Sequence, residues 1–255
     1  VSVQVSLLAE RIEEVRARIA AAAERAGRDP AGVTLVAVTK THGMEMIRAA
    51  YESGLRHFGE NRVEEAEGKI AEARRVLPGD DVRWHMIGHV QSRKTAAVAE
   101  CFDWVHSVDR FRIARRISVR AGELGRTVEA LLQVNLSGED TKSGYDLSAW
   151  PGDDTPLDAL CGEVEQIVGL PHLRIRGLMT MAPYTAEPES VRPIFRRARL
   201  LREALRERFP ALDWAHLSMG MTADYEVAVE EGATMVRVGT ALFGPREYCD
   251  IGRGG

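Results

Sequence analysis

The chain is poor in the residues that staple, span or tag a protein. Its three cysteines, Cys101, Cys161 and Cys249, are odd in number and far apart within 255 residues. They fall outside any metal-ligand spacing, which excludes a disulfide framework and fits a reduced setting. No apolar run approaches the roughly 18 to 20 residues that a membrane-spanning helix needs, and the N-terminal stretch reads as a charged amphipathic helix rather than a signal peptide. A cytoplasmic location, away from membranes, is the expectation. There is no run of five or six like charges either: 34 basic residues are scattered among 38 acidic ones, for a net charge of -4. That balance argues against nucleic acid as a partner. With no linker and no internal repeat, residues 1–255 read as one domain.

What the chain does have is a 45% hydrophobic content, enough for a full core, arranged in an alternating pattern. Residues 6–26 carry Leu7, Leu8, Ile12, Val15, Ile19 and Ala23 at helical spacing, closed by Gly27. The β-branched run VTLVAVTK, 33–40, then reads as a strand buried on both faces. Further strands are expected at LRHFGE (55–60), RWHMIG (83–88), FDWVHSVD (from 102), TVEALLQVNL (127–136), LRIRGLMTM (173–181), Trp214–Ser218 and Thr234–Val238. Helical patterns separate them. Eight strands alternating with helices over about 250 residues predict an α/β fold, a single (β/α)8 TIM-type barrel with an extra N-terminal helix. An open doubly wound sheet is the competing architecture, but no glycine-rich dinucleotide fingerprint follows the first strand.

In such barrels the chemistry sits at the C-terminal lip of the strands, often with a phosphate site after the last two. Lys40 closes the first strand. An amine there is partly desolvated, which lowers its pKa toward the free base a Schiff-base lysine needs. A strand that merely surfaces into solvent would end in lysine just as well. The seventh strand ends in Leu217-Ser218-Met219-Gly220-Met221 and the eighth in Arg237-Val238-Gly239-Thr240-Ala241. Small residues and backbone N–H groups at both turns, with hydroxyls from Ser218 and Thr240, suit an anion such as phosphate. Each turn alone would also serve as a tight strand-to-helix connection. Pyridoxal 5'-phosphate (PLP) is the cofactor that would join an amine to such a cradle. Arg237, between Val236 and Val238, should point into the barrel mouth, with a buried salt bridge as the other possibility. Facing a pyridine nitrogen, a guanidinium donates a hydrogen bond without giving up its proton, leaving a weak electron sink.

Several stretches carry a resemblance: VAVTK (36–40), HFGENRVEE (57–65), WHMIGHVQSRK (84–94), LLQVNLSGEDTKSG (131–144), GLMTMAP (177–183) and the long segment 217–244. Together the sequence resembles the pyridoxal phosphate homeostasis proteins, the YggS/PROSC group. The resemblance implies a fold type III PLP protein reduced to its barrel domain, related to the N-terminal domain of alanine racemase. It implies a Schiff base on Lys40, phosphate held at Ser218, Gly239 and Thr240, Arg237 at the pyridine nitrogen, Asn61 lining the pocket, and Met219 among the cofactor-binding residues. Lys142 matches a second family lysine implied to take part in cofactor exchange. Two departures stand out: Met86 where an aromatic is common beside the ring, and a longer loop at Tyr145–Thr155. Two functions remain: a non-catalytic carrier that buffers PLP and passes it to PLP-dependent apoenzymes, and a single-domain amino-acid racemase. A monomer is expected. His85 and His89 do not share a helical face, so no metal site is expected. The arginine-rich stretch 192–208 reads as a solvated helix face.

Overall fold

The computed structural model describes residues 2–139 and 143–244. Helix α1 (Ser2–Arg25) comes first, then β1 (Thr34–Val38), α2 (Met44–Glu52), β2 (His57–Glu60), α3 (Val63–Val76), β3 (Arg83–Met86), α4 (Thr95–Cys101) and β4 (Trp104–Val108). The order continues with α5 (Phe111–Glu123), β5 (Val128–Asn135), β6 (Tyr145–Asp146), α6 (Thr155–Val168), β7 (Leu173–Met179) and α7 (Arg192–Arg208). It ends with β8 (His216–Ser218), α8 (Tyr225–Glu230), β9 (Met235–Val238) and α9 (Thr240–Phe243). All strand pairs are parallel, and β1 pairs with both β2 and β9 while β4 pairs with β5. The sheet therefore closes on itself as an eight-stranded barrel, with β6 a two-residue addition on the edge of β5. The expected (β/α)8 architecture holds, and its strands six to eight are β7 to β9 because of that addition.

Closure separates two cores. Between barrel and helices lies a large aliphatic layer, while the interior holds a small cluster of Val36, Leu131, Met179 and Met235 packed against Trp104 and Met181. Alternation fixes which residue goes where: on β1, Val36 faces in and Ala37 faces the helices. The same parity sends Met86 outward into the helix-facing core, so the expectation that it packs beside a bound ring is corrected. Helix α1 buries Leu8, Ile12, Val15 and Ile19, each such burial worth about 1.5 to 3 kcal/mol. It packs against α2, α8 and α9, and so braces the seam where β1 meets β9.

Two readings of the periphery change. The loop that lengthens the chain after β5 is built onto the rim, with Leu147 and Trp150 buried and Tyr145 donating from its hydroxyl to Glu163 Oε2 at 2.6 Å. Arg197 of α7 donates to the carbonyls of Leu136, Leu147 and Ser148, each at 2.9 Å. Arg192 likewise reaches Glu230 and Glu231. The arginine-rich helix is thus partly a clamp, not only a solvated face.

Candidate functional site

The end of β1 is held from outside by α3. Thr39 Oγ1 donates to Glu60 Oε1 at 2.7 Å, and Lys69 Nζ donates to Thr39 O, Glu60 Oε1 and Glu65 Oε1 at 2.8, 2.7 and 3.0 Å. That uses all three ammonium protons. The backbone N–H of Thr41 donates to Glu65, and Thr41 has a φ of 69°. Lys40 therefore sits between two backbone units pinned by one helix, the second in a left-handed conformation uncommon for a β-branched residue. Such a bend turns the Lys40 side chain off the strand and into a cleft of about 670 Å3.

Val38, Lys40 and His42 form one wall of this cleft, Asn61 and Gly88 a second, and Met221, Thr222, Ala223, Arg237, Gly239 and Thr240 a third. Gly88 is required where it stands: a Cβ there would lie 2.1 Å from the Asn61 carbonyl oxygen. At Gly220, φ is +93° and a Cβ would come within 2.6 Å of the Ala228 side chain, so only glycine makes the turn that presents residues 221–223. Asp224 accepts from Met221 N–H at 2.6 Å and fixes that turn. The N–H groups of Thr222, Ala223, Gly239 and Thr240 meet no acceptor among the described residues. Converging open N–H groups are what an anion needs.

Arg237 lies beneath them. In register with Val36 on β1, it points into the barrel, and it is 4% exposed. Its guanidinium donates to Ser218 Oγ at 2.6 Å and to Thr180 O at 3.0 Å. Burial pushes it down to about 10, which still leaves it charged at neutral pH, and the Asp224 carboxylate partly offsets that burial. No salt bridge forms to Arg237 among the described residues, so the alternative of a buried ion pair is set aside. Three of its five N–H donors have no protein acceptor among those residues. A buried cation with open donors at the foot of a cleft is costly unless a ligand acceptor completes it.

Of the residues singled out from sequence, Lys40, Asn61, Arg237, Gly239 and Thr240 come together around one cleft. Ser218 and Met219 do not line it: Ser218 is fully buried with its hydroxyl engaged by Arg237 and His106, and Met219 sits in the outer core with its N–H bonded to Met235 O. The physical reason is that β8 ends at Ser218 and three more residues are needed to climb to the lip, where Thr222 and Ala223 stand instead. Lys142 lies outside the described residues. His85 and His89 diverge, His85 inside the barrel and His89 beside Asp109. Sequence reading also missed that His57, His85 and His106 occupy inward positions on three successive strands, joined at 2.9 Å. Period-two parity would have placed them there.

A model of the alanine racemase N-terminal domain family matches residues 11–247. The pyridoxal phosphate homeostasis protein of Pseudomonas aeruginosa is 49% identical over 243 residues, which is 95% of this chain and 97% of that one. The chain belongs to the pyridoxal phosphate homeostasis protein family. Among solved structures, that of PipY of Synechococcus elongatus with PLP bound is 41% identical, matches with a TM-score of 0.78 and pairs 93% of this chain with all of that one. Alanine racemase of Clostridium difficile, at 13% identity and a TM-score of 0.65, shares the fold and is covered over 57% of its length. The homeostasis family's barrel is thus the racemase barrel domain in outline, with the cleft at the same C-terminal lip where such barrels do their work.

Proposed function

We propose that this protein binds PLP reversibly in the cleft between Lys40 and the turns after β8 and β9, and serves PLP homeostasis and carriage. The observation that carries the reading is the pairing of two features on adjacent strands: a bent-out lysine on β1 and, beside β9, four unmet N–H groups over a buried Arg237. The donor set fits the cofactor. Thr222, Ala223, Gly239 and Thr240 would take the phosphate, Arg237 would donate to the ring nitrogen, Asn61 would line the ring and the Lys40 amine would be the point of covalent attachment. When bound, the cofactor supplies an aldehyde and a conjugated ring that can withdraw electrons. Arg237 weakens that withdrawal because it stays a donor and keeps its proton. That disfavours transamination and leaves racemisation or carriage, and carriage is favoured between them by the names of relatives at 38 to 49% identity.

The same reading makes the barrel a single cofactor-binding unit in the cytoplasm that releases PLP to dependent apoenzymes. It includes a monomer. Among the described residues the exposed large hydrophobics are Tyr184 at the cleft and Leu7, Val119, Leu124, Val168 and Leu200 on or beside four helices. No helix among the described residues is long and apolar enough to cross a membrane.

Borohydride reduction of the loaded protein followed by peptide mapping tests the attachment. The expected result is one reduced adduct on the Lys40 peptide, absent in Lys40→Ala; an adduct elsewhere, or none, overturns it. Deuterium wash-in at the α-carbon of amino acids then separates carrier from racemase. Exchange at the free-cofactor rate supports the carrier, and exchange at about 1 per second or faster supports the enzyme.

A further inference from the structure

Below Arg237 a line of hydrogen bonds runs down the barrel axis. Ser218 Oγ lies 2.9 Å from His106 Nδ1, His106 Nε2 lies 2.9 Å from His85 Nδ1, and His85 Nε2 lies 2.9 Å from His57 Nδ1. His85 and His106 are fully buried, whereas His57 is half-buried and lines a shallow cleft at the N-terminal face. The charged or titratable groups facing this line are Arg237 at its top, His216 at its side, and Arg83 and Asp103 at its foot. No carboxylate faces His85 or His106. The buried guanidinium therefore stands over three imidazoles rather than over an acid.

The bonds admit only two directions, because each neutral imidazole has one N–H and one lone pair. In one, protons point up toward Arg237 and His106 Nδ1–H donates to Ser218. Ser218 Oγ would then accept from both His106 and Arg237, and its own O–H would be buried with no acceptor, which costs about 1 to 3 kcal/mol. That direction also sets the positive ends of three dipoles against a cation. In the other, Arg237 donates to Ser218, Ser218 to His106, His106 to His85 and His85 to His57, whose Nε2–H faces solvent. Every donor from Ser218 to His85 is then met and every dipole turns its negative end to the guanidinium.

We infer that His106, His85 and His57 are held as neutral Nε2–H tautomers and act through Ser218 as the counter-dipole of Arg237, positioning its guanidinium so that its remaining donors face the cleft. They are positioning residues in this role: none lines the cleft itself. The inference rests on the bond line and on Arg237, and it stands or falls independently of which ligand the cleft takes.

Two measurements on the ligand-free protein decide it. In 15N-labelled protein near pH 8, long-range imidazole correlations should show a bare Nδ1 and a protonated Nε2 for all three histidines. An Nδ1–H or an imidazolium at His85 or His106 overturns the inference. The second reads Arg237 directly. His106→Leu removes the acceptor for Ser218 and should speed exchange of the Arg237 Nη protons about tenfold or more, as loss of one buried charged bond implies. His106→Asn keeps an acceptor near the Nδ1 position and should restore most of the protection. Equal exchange in all three proteins, or no difference between Leu and Asn, overturns the positioning role. If either variant fails to fold, the tautomers of the parent protein still decide.

Discussion

The two polar systems that meet at Ser218 differ in one respect. Downward, from Ser218 through His106 and His85 to His57 Nδ1, each polar atom meets another in the protein, and the line ends where His57 Nε2 reaches the N-terminal face. Upward, the N–H groups of residues 222, 223, 239 and 240 and three donors of Arg237 meet none among the described residues. The interior below is closed chemistry and serves the fold, whereas the lip above is open chemistry that waits for an acceptor. A second, nearly closed system lies outside the barrel, where Lys69 spends its three protons on Glu60 Oε1, Glu65 and Thr39 around the base of Lys40 and only the buried Glu60 Oε2 is left without a partner among the described residues. Buried polar groups thus mark a site here only where their hydrogen-bond inventory is incomplete.

The strongest way to break this contrast is to open a closed system. Lys69→Met leaves Glu60, which is 0% exposed, buried without its ammonium. The expected loss is about 3 to 5 kcal/mol in urea unfolding at pH 7. Burial already raises the Glu60 carboxyl above its ordinary value, opposed chiefly by Lys69. Without the lysine the folded form takes up a proton more readily, so the deficit should shrink as pH falls toward 4.5. A deficit under 1 kcal/mol, or one that grows in acid, would show that the Lys69 cluster is ornamental.

A somewhat smaller effect should appear on acidifying the histidine line. Burial holds His85 and His106 well below the usual 6.5. Between the two values the unfolded chain binds protons that the folded chain refuses, so stability present above pH 6.5 is lost as pH falls. Each histidine should cost about 1.4 kcal/mol by pH 5.5, or roughly 3 kcal/mol for both. The raised carboxyls of Glu60, Asp109 and Asp224 act in the opposite sense. Burial lowers His57 and His216 as well, in the same sense, so His85→Gln should flatten the curve between pH 7 and 5.5 only in part. Stability that stays level over that range in the parent protein would contradict a neutral buried pair.

Much of this was legible beforehand, and the rest was not for identifiable reasons. Strand and helix alternation gave the barrel, and the parity of Val36, Lys40 and Arg237 placed the last two at the mouth, because period two survives any error in strand ends. The exit from β8 was misplaced. Ser218 carries the right hydroxyl, but Gly220 with its left-handed turn shifts the lip to Thr222, and sequence alone does not say at which residue a strand leaves the barrel. The column of histidines escaped notice because its members are 28 and 21 residues apart and meet only when the sheet closes.

The finest test compares two hydroxyls four residues apart, one in each system. Ser218→Ala removes a group that accepts from Arg237 and contacts His106, so two buried nitrogens lose their partner. It should cost about 1 to 3 kcal/mol in stability. The Thr222 hydroxyl makes only a long contact, 3.5 Å from Ala241 N–H, and faces the cleft. Thr222→Val should leave stability within about 0.5 kcal/mol. It should weaken PLP binding about fivefold, the worth of one neutral hydrogen bond near 1 kcal/mol, in equilibrium dialysis against the parent. If the two variants exchanged behaviour, Ser218 would belong to the open lip, and the boundary drawn at its hydroxyl would have to move one turn down the barrel.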